Sequence, residues 1–127
     1  MTSRLKSFSF LCVSAFAMWM AESPQFALAS DFPIGSYSSE PYTLIFEANG
    51  DFRVVKSGYA LVEGEYSVSG GQLKLTDKRG PFACTGEGQA TGTYNWKLEG
   101  VMLRLSKVED RCTDRAQSFA DTTWKKE

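Results

Sequence analysis

The segment YTLIFEANGDFRVVK, residues 42–56, contains two runs of alternating apolar and polar residues joined by a turn sequence. Alternation with a period of two is typical of β-strands, and Asn49-Gly50 is typical of a tight hairpin turn. A three-residue loop with Gly50 in the left-handed conformation places cross-strand partners on one face. This register pairs Phe46 with Phe52 and Leu44 with Val54 on an apolar face, and it sends Glu47, Asp51 and Arg53 outward.

Two further hairpins divide their residues in the same way. Two-residue loops at Gly70-Gly71 and Glu99-Gly100 each give one apolar face and one mostly polar face. Because three turns agree independently, we interpret this part of the chain as an antiparallel β meander. The pairs predicted for these two hairpins are Val68 with Leu73, Tyr66 with Leu75, Trp96 with Leu103, and Tyr94 with Leu105.

Short alternating runs continue through the rest of the chain after residue 29, without a helical period. A three-residue loop between the third and fourth strands would pair Val54 with Val62 and Phe52 with Gly64. Eight strands that share one apolar face predict an all-β domain, built as a closed up-and-down barrel or as a two-sheet sandwich. The predicted strands lie near residues 34–38, 42–47, 51–56, 60–69, 72–77, 91–98, 101–108 and 116–124.

The order of the connections favours the closed barrel. Connections in a meander alternate between the two ends, so the fifth and the seventh, which carry Cys84 and Cys112, lie at the same end. A disulfide between them is therefore geometrically possible. The tight turns all fall at the opposite end and close it. We predict an eight-stranded antiparallel up-and-down β-barrel with one disulfide, Cys84–Cys112.

The first 29 residues have the three parts of a secretory signal peptide. Arg4 and Lys6 form a positive start, residues 8–20 form an uncharged run, and Ala27-Leu28-Ala29 provides small residues for cleavage after Ala29. An uncleaved membrane anchor is the alternative, although the run is short for a permanent span. We expect residues 30–127 to form one domain that is periplasmic or secreted and does not contact the membrane after cleavage.

The counts of cysteine and histidine narrow the possible chemistry. Of three cysteines, Cys12 lies in the predicted signal peptide, which leaves Cys84 and Cys112 as an even pair for an oxidising compartment. The absence of histidine removes the commonest metal ligand and the usual base of serine and cysteine nucleophiles. With a formal net charge of −1 and no basic stripe, nucleic acid is not an expected partner. We predict a monomer without a metal, a cofactor or catalytic residues.

Three carboxylates, Glu109, Asp110 and Asp114, surround Cys112 and are interleaved with Arg111 and Arg115. Ion pairs that hold the disulfide loop in place are the favoured interpretation. The alternatives are a paired general acid and base or a calcium site. The interleaved arginines argue against calcium.

Gly35-Ser36-Tyr37 on the first strand is similar to the Gly-x-Trp motif of lipocalins, and Arg115 before the last strand is similar to their late arginine. Over residues 30–127 the architecture resembles the calycin group of lipocalin-like and avidin-like small barrels. This resemblance implies tight turns at one end and longer loops at an open mouth. Small barrels with one disulfide also occur among bacterial periplasmic inhibitors of proteases and lysozyme, so the fold alone does not choose a function.

The alternation also predicts what lies inside the barrel. Bulky side chains point inward at the closed end and predict a filled core of Phe46, Phe52, Tyr66, Val68, Leu73 and Trp96. At the open end, Gly64 and Gly92 leave space, and apolar walls with a few converging charges predict a small pocket. The alternative is that the strands have ended there and the charges reach water. The candidate ligand-binding residues are Tyr42, Lys56, Asp77, Tyr94 and Lys107, with Val62 beside them.

The connection at residues 78–90 is rich in glycine and tied down by Cys84. It is either a lid over the barrel or, together with Arg115, an interaction loop that presents Phe82 to a protein target. We expect a non-enzymatic exported protein that binds a small apolar or mixed-polarity ligand at the open end. The alternative is a periplasmic or secreted inhibitor, or a protein-interaction module, that acts through the disulfide-tethered loops.

Overall fold

Antiparallel pairing of neighbouring strands continues around the whole domain. The computed structural model describes residues 32–120 and 122–127, and the predicted signal peptide at residues 1–29 lies outside them. Because β8 pairs back with β1, the sheet closes into an eight-stranded barrel, as predicted. The elements are β1 (Gly35–Ser39), β2 (Tyr42–Phe46), β3 (Asp51–Lys56), β4 (Tyr59–Ser69), β5 (Gln72–Arg79), β6 (Thr91–Glu99), β7 (Met102–Asp110), α1 (Thr113–Phe119) and β8 (Thr123–Lys126).

The hairpin between β2 and β3 has the predicted register. Phe46 lies opposite Phe52 and Leu44 opposite Val54. Gly50 adopts a φ of 93°, the left-handed conformation that its loop requires. The register of the β4–β5 hairpin is confirmed as well, with Val68 opposite Leu73 and Tyr66 opposite Leu75.

The connection between β3 and β4 keeps the predicted pairing but uses a shorter loop. Val54 lies opposite Val62. The turn has only two residues, Ser57 and Gly58, with φ values of 51° and 81°. Positive φ at both central positions matches the twist of the flanking strands, which favours this turn over a three-residue loop. A register shift after Val54 absorbs the difference and leaves Leu61 as the extra residue of a β-bulge.

The β6–β7 hairpin differs from the prediction by two residues. Trp96 lies opposite Leu105 rather than Leu103, because the turn begins at Gly100, whose φ is 60°. The predicted turn would have placed Glu99 at the position that needs a positive φ, and glycine is favoured there. A shift of two residues leaves every side chain on the same face. The predicted pairs Trp96–Leu103 and Tyr94–Leu105 are therefore wrong, while the predicted faces of these residues are right.

The segment predicted as the eighth strand, residues 116–124, is mostly helical. Helix α1 spans Thr113–Phe119, and β8 begins only at Thr123. The helix starts at Cys112, whose Sγ accepts a hydrogen bond of 3.4 Å from the Arg115 amide. Seven residues are too few for a helical period to stand out in the sequence. The buried residues of the helix, Arg115, Ala116 and Phe119, lie on one face.

An aromatic cluster fills the closed end of the barrel. Phe32, just before β1, is buried there, with its ring centroid 4.8 Å from that of Phe46 and 5.1 Å from that of Trp96. Tyr66 packs against the Phe46 ring at 5.1 Å. The predicted filled core at this end is confirmed, and Phe32 is an addition that the prediction did not contain. The predicted members Phe46, Phe52, Tyr66 and Leu73 are buried, and Val68 and Trp96 pack against them.

Gly64 on β4 lies opposite Phe52 and has no space for a side chain. A Cβ atom at this position would lie 2.7 Å from Phe52 Cε1 and 3.0 Å from the carbonyl carbon of Thr76. We expect Gly64→Ala to lower the free energy of unfolding by about 1–3 kcal/mol through overpacking. Gly71→Ala is the matched control, since a Cβ there meets nothing within 4 Å. Equal effects of the two variants in urea denaturation would contradict this packing.

The two ends of the disulfide lie at the open end of the barrel. Cys84 is in the connection between β5 and β6, and Cys112 lies between β7 and α1. They form a disulfide with their Cα atoms 6.2 Å apart. The predicted bridge and its predicted location at one barrel end are both confirmed. It ties the β5–β6 connection to the start of the segment that joins β7 to β8.

Candidate functional site

A cavity of about 600 Å³ opens at the barrel end that carries the disulfide. Its volume is within the range of sites that hold small organic molecules. Inward-facing side chains of the strands form its walls, and helix α1 and the β5–β6 connection cover it. The apolar lining residues from the strands and from α1 are Tyr42, Val54, Leu61, Val62, Phe119 and Trp124, and Pro81, Phe82 and Ala83 of the β5–β6 connection add to them.

The β5–β6 connection is held closely against β4. The Phe82 amide donates a hydrogen bond of 3.0 Å to the Leu61 carbonyl. Gly80, with a φ of 123°, permits this approach, because a Cβ there would lie 2.8 Å from the Leu61 carbonyl carbon. Residues 81–84 line the cavity, and Cys84 joins them to the start of α1. The loop and the helix therefore form one tethered cover, which we call the lid (residues 80–90 and 112–119).

Arg115 on α1 is the centre of a buried ion network under the lid. Its side chain is 4% exposed, and it forms a two-point contact with Asp110. Nε donates to Asp110 Oδ2 at 2.7 Å and Nη2 donates to Oδ1 at 2.7 Å. On its other side, Nη1 lies 3.1 Å from Oδ2 of Asp77. Two carboxylates from β5 and β7 thus share one guanidinium group.

The network also holds the backbone on both sides of the disulfide. The Cys84 amide donates to Asp77 Oδ2 at 2.8 Å, and the Cys112 amide donates to Asp110 Oδ1 at 2.9 Å. Arg115 donates to the carbonyl oxygens of Gln89 at 2.8 Å and Ala90 at 3.0 Å. Each half-cystine is therefore fixed by a carboxylate that Arg115 itself binds.

Tyr94 and Gly92 on β6 shape the floor of the network. The buried Tyr94 hydroxyl donates a short hydrogen bond to Asp110 Oδ2. Burial, with this hydrogen bond to a carboxylate, raises the pKa of Tyr94 far above its usual value, so the phenol stays protonated. A side chain at Gly92 would collide with the network, since a Cβ there lies 2.6 Å from Asp110 Cγ and 3.1 Å from Arg115 Nε. Gly92 therefore provides the space that the ion network occupies.

The two carboxylates of the network differ in their electrostatics. Burial raises the pKa of Asp110, but hydrogen bonds from Arg115, Tyr94 and the Cys112 amide outweigh burial and hold this pKa below its usual value. Burial also raises the pKa of Asp77, and here the Cys84 amide and Arg115 offset only part of the effect, so this pKa lies above its usual value. Folding therefore favours the ionised form of Asp110 and disfavours the ionised form of Asp77.

The structure brings together some of the predicted ligand-binding residues and not others. Tyr42 and Asp77 line the cavity, while Tyr94 is buried and bonded to Asp110. Lys56 and Lys107 are exposed and are not among the lining residues, so their predicted inward direction is wrong.

Local backbone geometry explains both lysines. Lys56 is the last residue of β3, directly before the turn, and its Nζ lies over the Tyr42 ring at 5.9 Å. Lys107 adjoins a register shift in the β6–β7 pairing that leaves Val108 as an extra residue, and both side chains are exposed. A bulge of this kind breaks the alternation on which the prediction relied.

Of the two residues predicted for an interaction loop, Phe82 is exposed and Arg115 is buried. Phe82 is 68% exposed, although it also contributes to the cavity lining. Arg115 is buried among carboxylates, so the expectation that it meets a protein target is wrong. Its position on one face of α1 turns it inward, and the sequence did not reveal this helix.

The carboxylates around Cys112 separate in the structure. Asp110 is buried in the ion network, whereas Glu109 and Asp114 are exposed. Asp114 still lines the cavity from the side of α1. Within residues 32–120 and 122–127, no group of three or more Cys, Asp or Glu side chains is placed to hold a metal ion. The arrangement of Asp110 and Arg115 is the ion pair that the sequence favours.

Several residues that build the site were not predicted. They are Phe119 and Trp124, which line the cavity. The ion pair that the predicted residue Asp77 forms with Arg115 was not expected either. The buried positions 115, 116 and 119 repeat with a helical spacing, which was the only local sign of the lid helix. No helix among the described residues is long and apolar enough to cross a membrane.

Comparison with known proteins adds no relatives. No protein-family model matches the chain, and neither the curated proteins nor the solved structures that were searched contain a match.

Proposed function

We propose that this chain is an exported, non-enzymatic binding protein that holds a small ligand of mixed polarity in the cavity under the lid. The observation that supports this most is the combination of an apolar cavity of about 600 Å³ with a buried carboxylate in its wall. Small-molecule sites are mostly apolar and carry a few polar groups that orient the ligand. The cavity has this composition.

Export is part of the same proposal. The Cys84–Cys112 bridge is typical of an oxidising compartment, and the features of residues 1–29 are those of a cleavable signal. The periplasm or the extracellular space fits both.

We also propose a relationship to the calycin group of barrels. The supporting features are the closed eight-stranded meander, the start of β1 at Gly35-Ser36-Tyr37 and the position of Arg115 shortly before β8. Tyr37 is fully buried at the place of the lipocalin tryptophan. Ligand binding at the open mouth is the property that this relationship would carry over.

Binding of the uncharged dye Nile red tests the cavity. We expect one dye per protein, with emission shifted to shorter wavelength, and Val62→Phe should weaken its affinity at least about fivefold by filling part of the cavity. Val108→Phe is the matched control, because Val108 is 45% exposed on β7 and does not line the cavity. Native mass spectrometry of the exported protein gives the stoichiometry.

Equal affinities of the two variants would place the dye on the outer surface and contradict the proposal. A folded protein that binds no dye would do the same. That second result would favour the other candidate function, inhibition or binding of a macromolecule through the lid. The 68% exposure of Phe82 on a disulfide-tethered loop supports this candidate.

A further inference from the structure

The hydrogen-bonding capacity of the buried network is almost completely used. An arginine side chain has five N–H donors. In Arg115, Nε and one Nη2 donor bind Asp110, the second Nη2 donor binds the Gln89 carbonyl, and the Nη1 donors face the Ala90 carbonyl and Asp77. The guanidinium group therefore has no donor left for an anionic ligand.

The acceptors of Asp110 are used as well. Its Oδ1 accepts from the Cys112 amide and from Arg115, and its Oδ2 accepts from Arg115 and Tyr94. Asp77 Oδ2 accepts from the Cys84 amide and faces Arg115 Nη1. One carboxylate oxygen of the network, Asp77 Oδ1, has no hydrogen-bond partner among the described residues.

This free oxygen belongs to a residue that lines the cavity. The Asp77 side chain is only 2% exposed, and a buried carboxylate oxygen without a donor costs free energy. The network contains two carboxylates and one guanidinium, which leaves an excess of one negative charge. Glu40 and Asp114 add negative charge to the lining of the same cavity.

We propose that the ligand of this cavity is a small organic amine whose ammonium group donates a hydrogen bond to Asp77 Oδ1. Its apolar part packs against Val62, Phe119 and Trp124, which line the cavity. This inference rests on the proposed binding function and specifies the class of ligand. A carboxylate ligand is disfavoured, because it would meet Asp77 without a free donor of Arg115.

Three probes with the same eight-carbon chain test the ligand class in the unmodified protein. Octylammonium, 1-octanol and octanoate differ only in the polar head, and each is titrated against bound Nile red at pH 7. We expect octylammonium to displace the dye at a concentration at least about tenfold lower than either other probe, since a hydrogen bond to a charged group is among the stronger ones. Octanoate should be the weakest.

The variant Asp77→Asn then tests whether Asp77 is the group that binds the ammonium of the ligand. The change keeps the shape and removes the negative charge, so the affinity for octylammonium should fall about tenfold while the affinity for 1-octanol stays unchanged. Glu109→Gln is the matched control, because it removes the same charge from an exposed position outside the cavity lining. Thermal unfolding shows whether each variant is folded, and the probe series in the unmodified protein does not depend on any variant.

The outcomes separate the two proposals. Equal displacement by the three probes would overturn the amine inference and leave the binding cavity in place. Tighter binding of octanoate would overturn it as well. If neither Nile red nor any probe binds directly by native mass spectrometry, the cavity is not a ligand site and the proposed function fails. An octylammonium preference that survives in Asp77→Asn would place the ammonium elsewhere in the cavity and contradict the assigned contact.

Discussion

Replacement of Arg115 by methionine is expected to lower the free energy of unfolding by about 3–5 kcal/mol, a large share of the stability of a small domain. Methionine keeps much of the side-chain volume but removes the charge, so Asp77 and Asp110 would be buried together without a cation. The carbonyl groups of Gln89 and Ala90 would lose their donors as well. Urea denaturation of the oxidised protein measures the effect.

Arg104→Met is the matched control for this experiment. The Arg104 side chain is 62% exposed and its Nε lies 3.9 Å from Glu99 Oε2, so its removal should cost less than about 1 kcal/mol. If Arg115→Met were as stable as Arg104→Met, the buried carboxylates would not depend on the positive charge of Arg115. The network would then be uncharged in the folded protein.

The pH dependence of the free energy of unfolding provides a second test of the Arg115→Met variant. The pKa of Asp110 is lowered in the folded protein from a usual value of 3.8, so its contribution to stability is present above that pH and is lost as the pH falls through the folded-state pKa. Asp77 has a raised pKa and acts in the opposite direction, because its ionised form is the less favourable one when folded. The difference between unmodified protein and Arg115→Met should therefore shrink below about pH 4.

Removal of the disulfide is expected to cost about 3–4 kcal/mol, because the bridge joins cysteines 28 positions apart and restricts the unfolded chain. The double variant Cys84→Ser, Cys112→Ser tests this in chemical denaturation. Reduction of the unmodified protein should give a similar loss, which separates the bridge itself from any effect of the serine side chains. A double variant as stable as the oxidised protein would contradict the prediction.

The disulfide and the ion network should not act independently. Asp77 binds the Cys84 amide and Asp110 binds the Cys112 amide, so both the bridge and Arg115 position the same backbone. Combining Arg115→Met with the two serine substitutions should therefore give a loss that differs from the sum of the separate losses. Nile red affinity of the reduced protein would report how far the lid depends on the bridge.

Local sequence signals were sufficient for the first seven strands and for most of their pairing. The Gly50 and Gly70-Gly71 turns fix two hairpins within a few residues, and counting connections is enough to bring Cys84 and Cys112 to one end. The third hairpin failed at Glu99-Gly100, because the sequence permits two turn positions and only backbone φ distinguishes them. This error shifts the predicted pairing of β6 with β7 by two residues and leaves the buried face of each strand unchanged.

The site was harder to predict because its partners come from distant parts of the chain. Asp77, Asp110 and Arg115 lie on β5, β7 and α1, and only the closed barrel brings them within hydrogen-bonding distance. The lid helix is a single short element whose neighbours, Thr122 and Thr123, favour a strand. Bulges then redirected Lys107, and periodicity alone cannot anticipate a bulge. Asp77 was predicted to line the pocket, but its free oxygen could be recognised only from the complete network.

The pairing of β8 with β1 has a consequence for how the chain folds. Tyr37 lies opposite Lys126 and Ser38 opposite Lys125, so the first strand of the described chain finds its second partner only among the last residues. Until those residues are available, β1 and β7 each present an unpaired edge that can associate with another chain. Barrel closure must therefore await the carboxyl-terminal strand, and the long separation of the two partners makes this step slow relative to hairpin formation. A barrel that lacks a paired β8 is therefore the form of this chain most exposed to aggregation.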